Sequence, residues 1–193
     1  MAVSARLTTF LEEAKARYTV TKHAVVYTAQ EIAAAQHVPG RQLAKCVLVK
    51  TNRGPVLAVL PAVQRVDLKQ LKALLGATTL SIARETDVKA AFPDVEVGAM
   101  SPFGNLYQVP VLMDRALADS EHIVFNAGSH TETITMRYRD AVELIKPKLG
   151  AFGHILGGPA AKRPAKGANK RTTSTATTAK KKPARAASKR RRH

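Results

Sequence analysis

The sequence has no tryptophan, one cysteine (Cys46) and an aromatic content of 5% in 193 residues. A single cysteine excludes an intrachain disulfide and any metal site built on cysteine spacing. No run approaches the roughly 18 consecutive apolar residues that a membrane span needs. The opening stretch, MAVSARLTTFLEEAKARY, has no apolar segment of the signal-peptide kind and carries acids at Glu12 and Glu13. A cytoplasmic protein with no membrane partner fits these absences. There is no H-E-x-x-H pair of histidines and no G-x-S-x-G turn, so neither zinc chemistry nor a serine-hydrolase elbow is indicated. The expectation is an absence of metal and cofactor.

Acids are also missing from one region. Residues 159–193 carry 13 Lys and Arg and no Asp or Glu, whereas residues 1–158 carry 18 Lys and Arg against 14 acids. The formal charge of +17 therefore sits mostly on the C-terminal segment. That segment is Ala, Lys, Arg, Pro and Thr, which cannot bury enough apolar area to offset the entropy of ordering it. The chain divides into a domain over residues 1–152 and a disordered basic tail over 153–193. The break lies near Gly153-His154-Ile155-Leu156-Gly157-Gly158. The tail's clusters at Lys180, Lys181, Lys182 and Arg190, Arg191, Arg192 are candidate contacts for nucleic acid, of low specificity and strong salt dependence.

The chain as a whole is 45% hydrophobic, enough for a core at this length. Ser4 is placed to cap a helix carrying Leu7, Phe10 and Leu11. Thr28 followed by Glu31 has the spacing of a capping box for TAQEIAAAQH, which Pro39-Gly40 closes. KCVLVK (45–50) and PVLAVLP (55–61), joined by Thr51-Asn52-Arg53-Gly54, read as a β-hairpin. Asp67 opens a helix that stops at Gly76. TLSIA (79–83), VPVLMD (109–114), HIVFNAG (122–128) and TETITM (131–136) read as strands. Glu85–Phe92 and Tyr138–Lys146 read as helices. The order lacks regular β-α-β alternation. The expected fold is α/β, a mixed and largely antiparallel sheet with flanking helices.

Three places can carry chemistry. Lys45 heads an apolar strand, and alternation turns it away from Cys46. It is either a solvent-facing lysine or an ammonium held at a pocket wall, where it binds phosphate or polarises a carbonyl. Gly98-Ala99-Met100-Ser101-Pro102-Phe103-Gly104 is an irregular loop, either a plain connector or a backbone able to approach a ligand and offer N–H groups to an oxyanion. Asn126-Ala127-Gly128-Ser129-His130 is a polar loop in which His130 is a pocket-mouth or a surface residue. His23 has the same two readings. Asp114 reads as an N-cap rather than an acid catalyst.

Taken in order, these segments resemble the YbaK-like aminoacyl-tRNA deacylases, the prolyl-tRNA-synthetase-associated editing domain family. The features are His23 before Thr28-Ala29, Ala44-Lys45, VLAVLPA at 56–62, Gly98 with Ser101-Pro102-Phe103-Gly104, VPVLMD, and FNAGSH. The resemblance spans roughly residues 5–150. It implies hydrolysis of the ester that joins a wrong amino acid to tRNA, without metal, on a mixed α/β fold. It places the family's key lysine on Lys45. It places substrate contacts on Gly98, Ser101, Pro102, Phe103, Gly104, Asn126, Gly128 and His130. His130 is closer to the free-standing branch that clears alanine from proline tRNA than to the branch that clears cysteine. Mischarged tRNA is the implied partner, and a synthetase partner is compatible with every residue. The alternative is a non-catalytic module on the same fold that binds nucleic acid or a synthetase.

Overall fold

The structure is a computed structural model and describes residues 3–155. The chain opens with helix α1 (Ala5–Glu13), strand β1 (Tyr18–Lys22) and helix α2 (Ala29–Ala35). The apolar runs then pair as strands β2 (Ala44–Thr51) and β3 (Gly54–Pro61), with Thr51 opposite Gly54 and Lys45 opposite Leu60. A short strand β4 (Gln64–Val66) leads to helix α3 (Leu68–Leu75). Asp67 caps this helix by accepting the Lys69 and Gln70 N–H groups, and Gly76 ends it at φ +59°. Strand β5 (Leu80–Ile82) and helix α4 (Glu85–Ala91) precede the Gly98–Gly104 loop. Beyond it come β6 (Val111–Asp114), β7 (His122–Asn126), β8 (Glu132–Arg137), α5 (Tyr138–Ile145), β9 (Lys148–Gly150) and β10 (Gly153–Ile155).

The strands form a five-stranded sheet ordered β5-β2-β3-β6-β9, a three-stranded sheet ordered β1-β8-β7, and a β10-β4 ribbon. β6 lies parallel to β3 and to β9, and the remaining pairings are antiparallel. This is the mixed, largely antiparallel arrangement expected from the sequence. Leu48, Leu57, Val59 and Met113 of the larger sheet share one core with Ile123, Phe125, Ile134 and Met136 of the smaller, closed by Leu7 and Leu11 of α1 and Ile145 of α5. Val49, Ala58, Leu60 and Leu112 face the other way, onto Leu71 of α3 and Phe152. A third cluster packs Ile32 of α2 on Leu43, Ala62 and Val124. It ties α2 to the ends of both sheets.

Two expectations change. Ser4 stands at the N-cap of α1 but makes no side-chain cap. Its hydroxyl instead donates to Asp94 Oδ2 at 2.7 Å, while its backbone N–H donates to the Ala127 carbonyl. A partner brought in by the fold, 90 residues away, outcompetes the local one. The domain also runs past residue 152, because Gly153–Ile155 pairs with β4. Three residues are too short to announce a strand by alternation, and pairing makes this one. Residues 156–193, with the clusters at Lys180–Lys182 and Arg190–Arg192, lie outside the described residues.

Candidate active site

Lys45 sits where β2 begins, half-buried, with its Nζ donating to the Ala62 carbonyl at 3.3 Å. Burial, and secondarily the Arg65 charge, hold its pKa below the ordinary lysine value. Cys46 joins the large core, and burial pushes its thiol up. A rigid strand thus fixes a partly desolvated ammonium, which acts more strongly on an anion than one in water.

Around it is a cavity of about 40 Å³ lined by Tyr27, Ile32, Lys45, Gly98, Met100 and Asn126, among others. All three predicted segments therefore contribute to one cavity. Gly98 adopts φ +91°, a backbone conformation that L side chains rarely take. The loop's N–H groups divide into two sets. Those of Ala99 and Gly104 are committed to the Glu96 and Pro102 carbonyls. Those of Gly98, Met100, Ser101 and Phe103 have no backbone acceptor among the described residues, and of these Gly98 and Met100 belong to residues that line the cavity. Asn126 closes the third side. Its Nδ2 donates to the Gly98 carbonyl at 3.4 Å, and its Oδ1 is buried without a hydrogen-bond partner.

The other predicted contacts are placed behind this surface rather than on it. Phe103 is fully buried, its ring 5.7 Å from Phe125 and 5.9 Å from Phe10. A Cβ on Gly104 would stand 2.7 Å from the Val109 carbonyl, so this glycine serves a close backbone crossing. Ser101 and Pro102 are buried beside them. All four are buried, and they anchor the end of the loop in the core. Gly128 links its N–H to the Ala99 carbonyl and its carbonyl to the Glu96 N–H.

His130 is neither at the mouth nor on the surface. Its backbone N–H donates to Glu96 Oε2 and its Nε2 to the Val97 carbonyl, both at 2.9 Å. The ring lies within 3.4 Å of where a Gly98 Cβ would be. It braces the Gly98 turn from behind, leaving Nδ1 buried and unpartnered. His23 turns its Nδ1 to the adjacent Ala24 carbonyl at 2.7 Å.

Tyr27 was not singled out from sequence. An apolar residue before an N-cap ordinarily packs down onto the helix as a hydrophobic staple. Tyr27 instead is 72% exposed, with its ring tilted against His130 at 4.9 Å. The capping box that fixes its backbone is complete, with Thr28 N–H on Glu31 Oε2 at 2.9 Å. A wider hollow of about 440 Å³, lined by Ser120, Arg137 and Arg139, lies at the other end of β8. None of Lys45, Gly98 and Asn126 lines it.

Residues 23–144 match the model of the aminoacyl-tRNA editing domain. The prolyl-tRNA editing protein ProX of Acetoanaerobium sticklandii is 28% identical over 151 residues, covering 75% of this chain and 92% of that protein. The multifunctional Ser/Thr-tRNA deacylase ProXp-y of Escherichia coli K12 is 27% identical over 152 residues, covering 76% and 90%. A solved structure of a candidate trans-editing enzyme for prolyl tRNA synthetase superposes with a TM-score of 0.71 at 19% identity, over 80% of this chain and 99% of that one. With that model matched over residues 23–144, the chain belongs to the aminoacyl-tRNA editing domain family, a family of aminoacyl-tRNA deacylases.

Proposed function

We propose that the protein is a free-standing hydrolase that clears mischarged aminoacyl-tRNA, with alanyl-tRNA(Pro) as its first substrate. The observation that carries this reading is the convergence of Lys45, Gly98 and Asn126 on one cavity of about 40 Å³. The narrowness of this space supports a small aminoacyl side chain as the group it takes. Synthetase pockets reject a slightly smaller amino acid by only about 1–3 kcal/mol. A second site that admits the small error supplies the missing discrimination.

In the reaction, water oxygen adds to the ester carbonyl and the bond to the ribose oxygen breaks. The proton lost by water ends on that ribose oxygen, leaving free amino acid and tRNA. The charge that develops on the carbonyl oxygen is met by the Lys45 ammonium and by the open N–H groups of Gly98 and Met100. No side chain of the cavity is a ready general base, and the reading assigns the ordering of the water to the terminal ribose hydroxyl of the substrate. Phe103, Gly104 and His130 contribute by holding the loop in shape.

The test is a deacylation panel of tRNAs carrying alanine, cysteine, serine, threonine or proline. Clearance of alanyl-tRNA(Pro) above the others supports the assignment. Preference for serine or threonine gives the second reading, which the function named for the Escherichia coli relative favours. Clearance of none, with tRNA still bound, leaves the non-catalytic module.

Two further expectations belong here. Tyr27 offers an exposed aromatic face at the cavity rim, suited to the terminal base of the acceptor end. Base–aromatic stacking is worth about 1–3 kcal/mol. Tyr27→Ala therefore raises KM by roughly fivefold or more while Tyr27→Trp stays near wild type, measured by steady-state deacylation. The basic tail, through Lys180–Lys182 and Arg190–Arg192, raises the local concentration of tRNA. Deleting residues 159–193 raises KM at low salt and flattens its dependence on salt, because fewer counterions are released on binding. An unchanged salt slope removes the tail from catalysis.

A further inference from the structure

Resting on the deacylase reading, we infer that Asn126 Oδ1 receives the α-ammonium of the aminoacyl group and makes the site selective for esters with a free amine. Buried polar atoms are nearly always hydrogen-bonded, so one without a partner calls for an explanation. Asn126 Oδ1 is such an atom, and Asn126 lines the same cavity as Lys45. The amide orientation is fixed chemically, because the nitrogen faces the Gly98 carbonyl, which can only accept. The free end is therefore an acceptor.

The ligand's chemistry supplies the matching donor. An aminoacyl ester carries a carbonyl, which needs donors, and an ammonium, which needs an acceptor. Lys45 Nζ is a cation and serves the carbonyl but repels the ammonium. The Ala62 carbonyl is occupied by Lys45, and the Gly98 carbonyl by Asn126 Nδ2. Asn126 Oδ1 is the buried, unpartnered side-chain acceptor among the residues that line the cavity with Lys45. It separates the two positive groups and orients the ester so that its carbonyl turns toward Lys45. A neutral amide does this without forming an ion pair that would neutralise Lys45, as a carboxylate at the same place would.

The experiment compares two esters of the same tRNA. One carries the amino acid that the wild type clears fastest. The other carries the matching 2-hydroxy acid, in which a hydroxyl replaces the ammonium at nearly equal size. Each enzymatic kcat/KM is divided by the uncatalysed hydrolysis rate, which removes the intrinsic activation by the ammonium. Wild type is expected to favour the amino ester by about tenfold, the factor given by about 1.4 kcal/mol for a charge-assisted hydrogen bond. Asn126→Ala is expected to bring the ratio close to one, chiefly by loss on the amino ester. A wild-type ratio near one overturns the inference whether or not the variant folds. An unchanged ratio in a folded Asn126→Ala overturns it as well. Failure of the wild type on every ester instead counts against the deacylase reading, so the two failures are distinct.

Discussion

Lys45→Ala is expected to lower kcat for deacylation by about 100- to 1000-fold, the cost of removing one preorganised donor from a developing oxyanion. The side chain is half-buried at a strand end and its ammonium is held by one carbonyl, so the variant should keep its fold. Lys45→Arg should not restore the rate. A planar guanidinium fork cannot place a compact point charge where the ammonium stands. The pH profile gives an independent readout. Burial holds the Lys45 pKa below 10.5, so the cation is lost at lower pH than in a free lysine. Activity relative to the spontaneous reaction should fall across that window on the alkaline side. Stability should move the other way. Between the lowered folded value and the ordinary unfolded one, the unfolded chain binds more protons, so the folded state gains stability as pH rises. Opposite trends in rate and stability over one pH range separate loss of a chemical group from loss of fold. A kcat within about threefold of wild type for a folded Lys45→Ala would sink the oxyanion role.

What the sequence discloses here follows from the range of the forces involved. The capping box at Thr28 and Glu31, the Asp67 cap and the hairpin at 51–54 are set within four residues, and each is found in place. Lys45 is legible because a lysine inside KCVLVK breaks an apolar run. The cavity around it is not, since Tyr27, Met100 and Asn126 reach it from three separate elements. The Gly98–Gly104 loop shows both limits. Its residue types announce an irregular turn, but only the fold shows that Gly98 and Met100 line the cavity while Phe103 and Gly104 sit in the core. A phenylalanine flanked by proline and glycine looks the same in either role. His130 was visible as a titratable group near a strand end. Its bracing contacts to Glu96 and Val97 depend on a crossing of 33 to 34 residues that no spacing rule encodes.

Asp114 carries this contrast to a measurable energy. Its local role is the N-cap read from sequence, with Oδ1 accepting the Ala116 N–H at 2.9 Å. Its other oxygen accepts the N–H groups of Phe152 and Gly153, each at 2.7 Å, and so fastens the chain after β9 to the end of β6. The residue is only 3% exposed, so no water replaces a lost partner. Hydrogen bonds to a charged group are worth about 1.5–3 kcal/mol each, and a buried donor left unpaired costs a similar amount. Asp114→Ala is therefore expected to destabilise the domain by about 3 kcal/mol or more. For a domain of this size that lowers Tm by roughly 6–12 °C. Asp114→Asn should lie between the two, because an amide offers one oxygen to donors that had two. Thermal and urea unfolding measure both variants. A loss below about 1 kcal/mol in Asp114→Ala would mean that the cap alone is at work and that the two distant bonds contribute little.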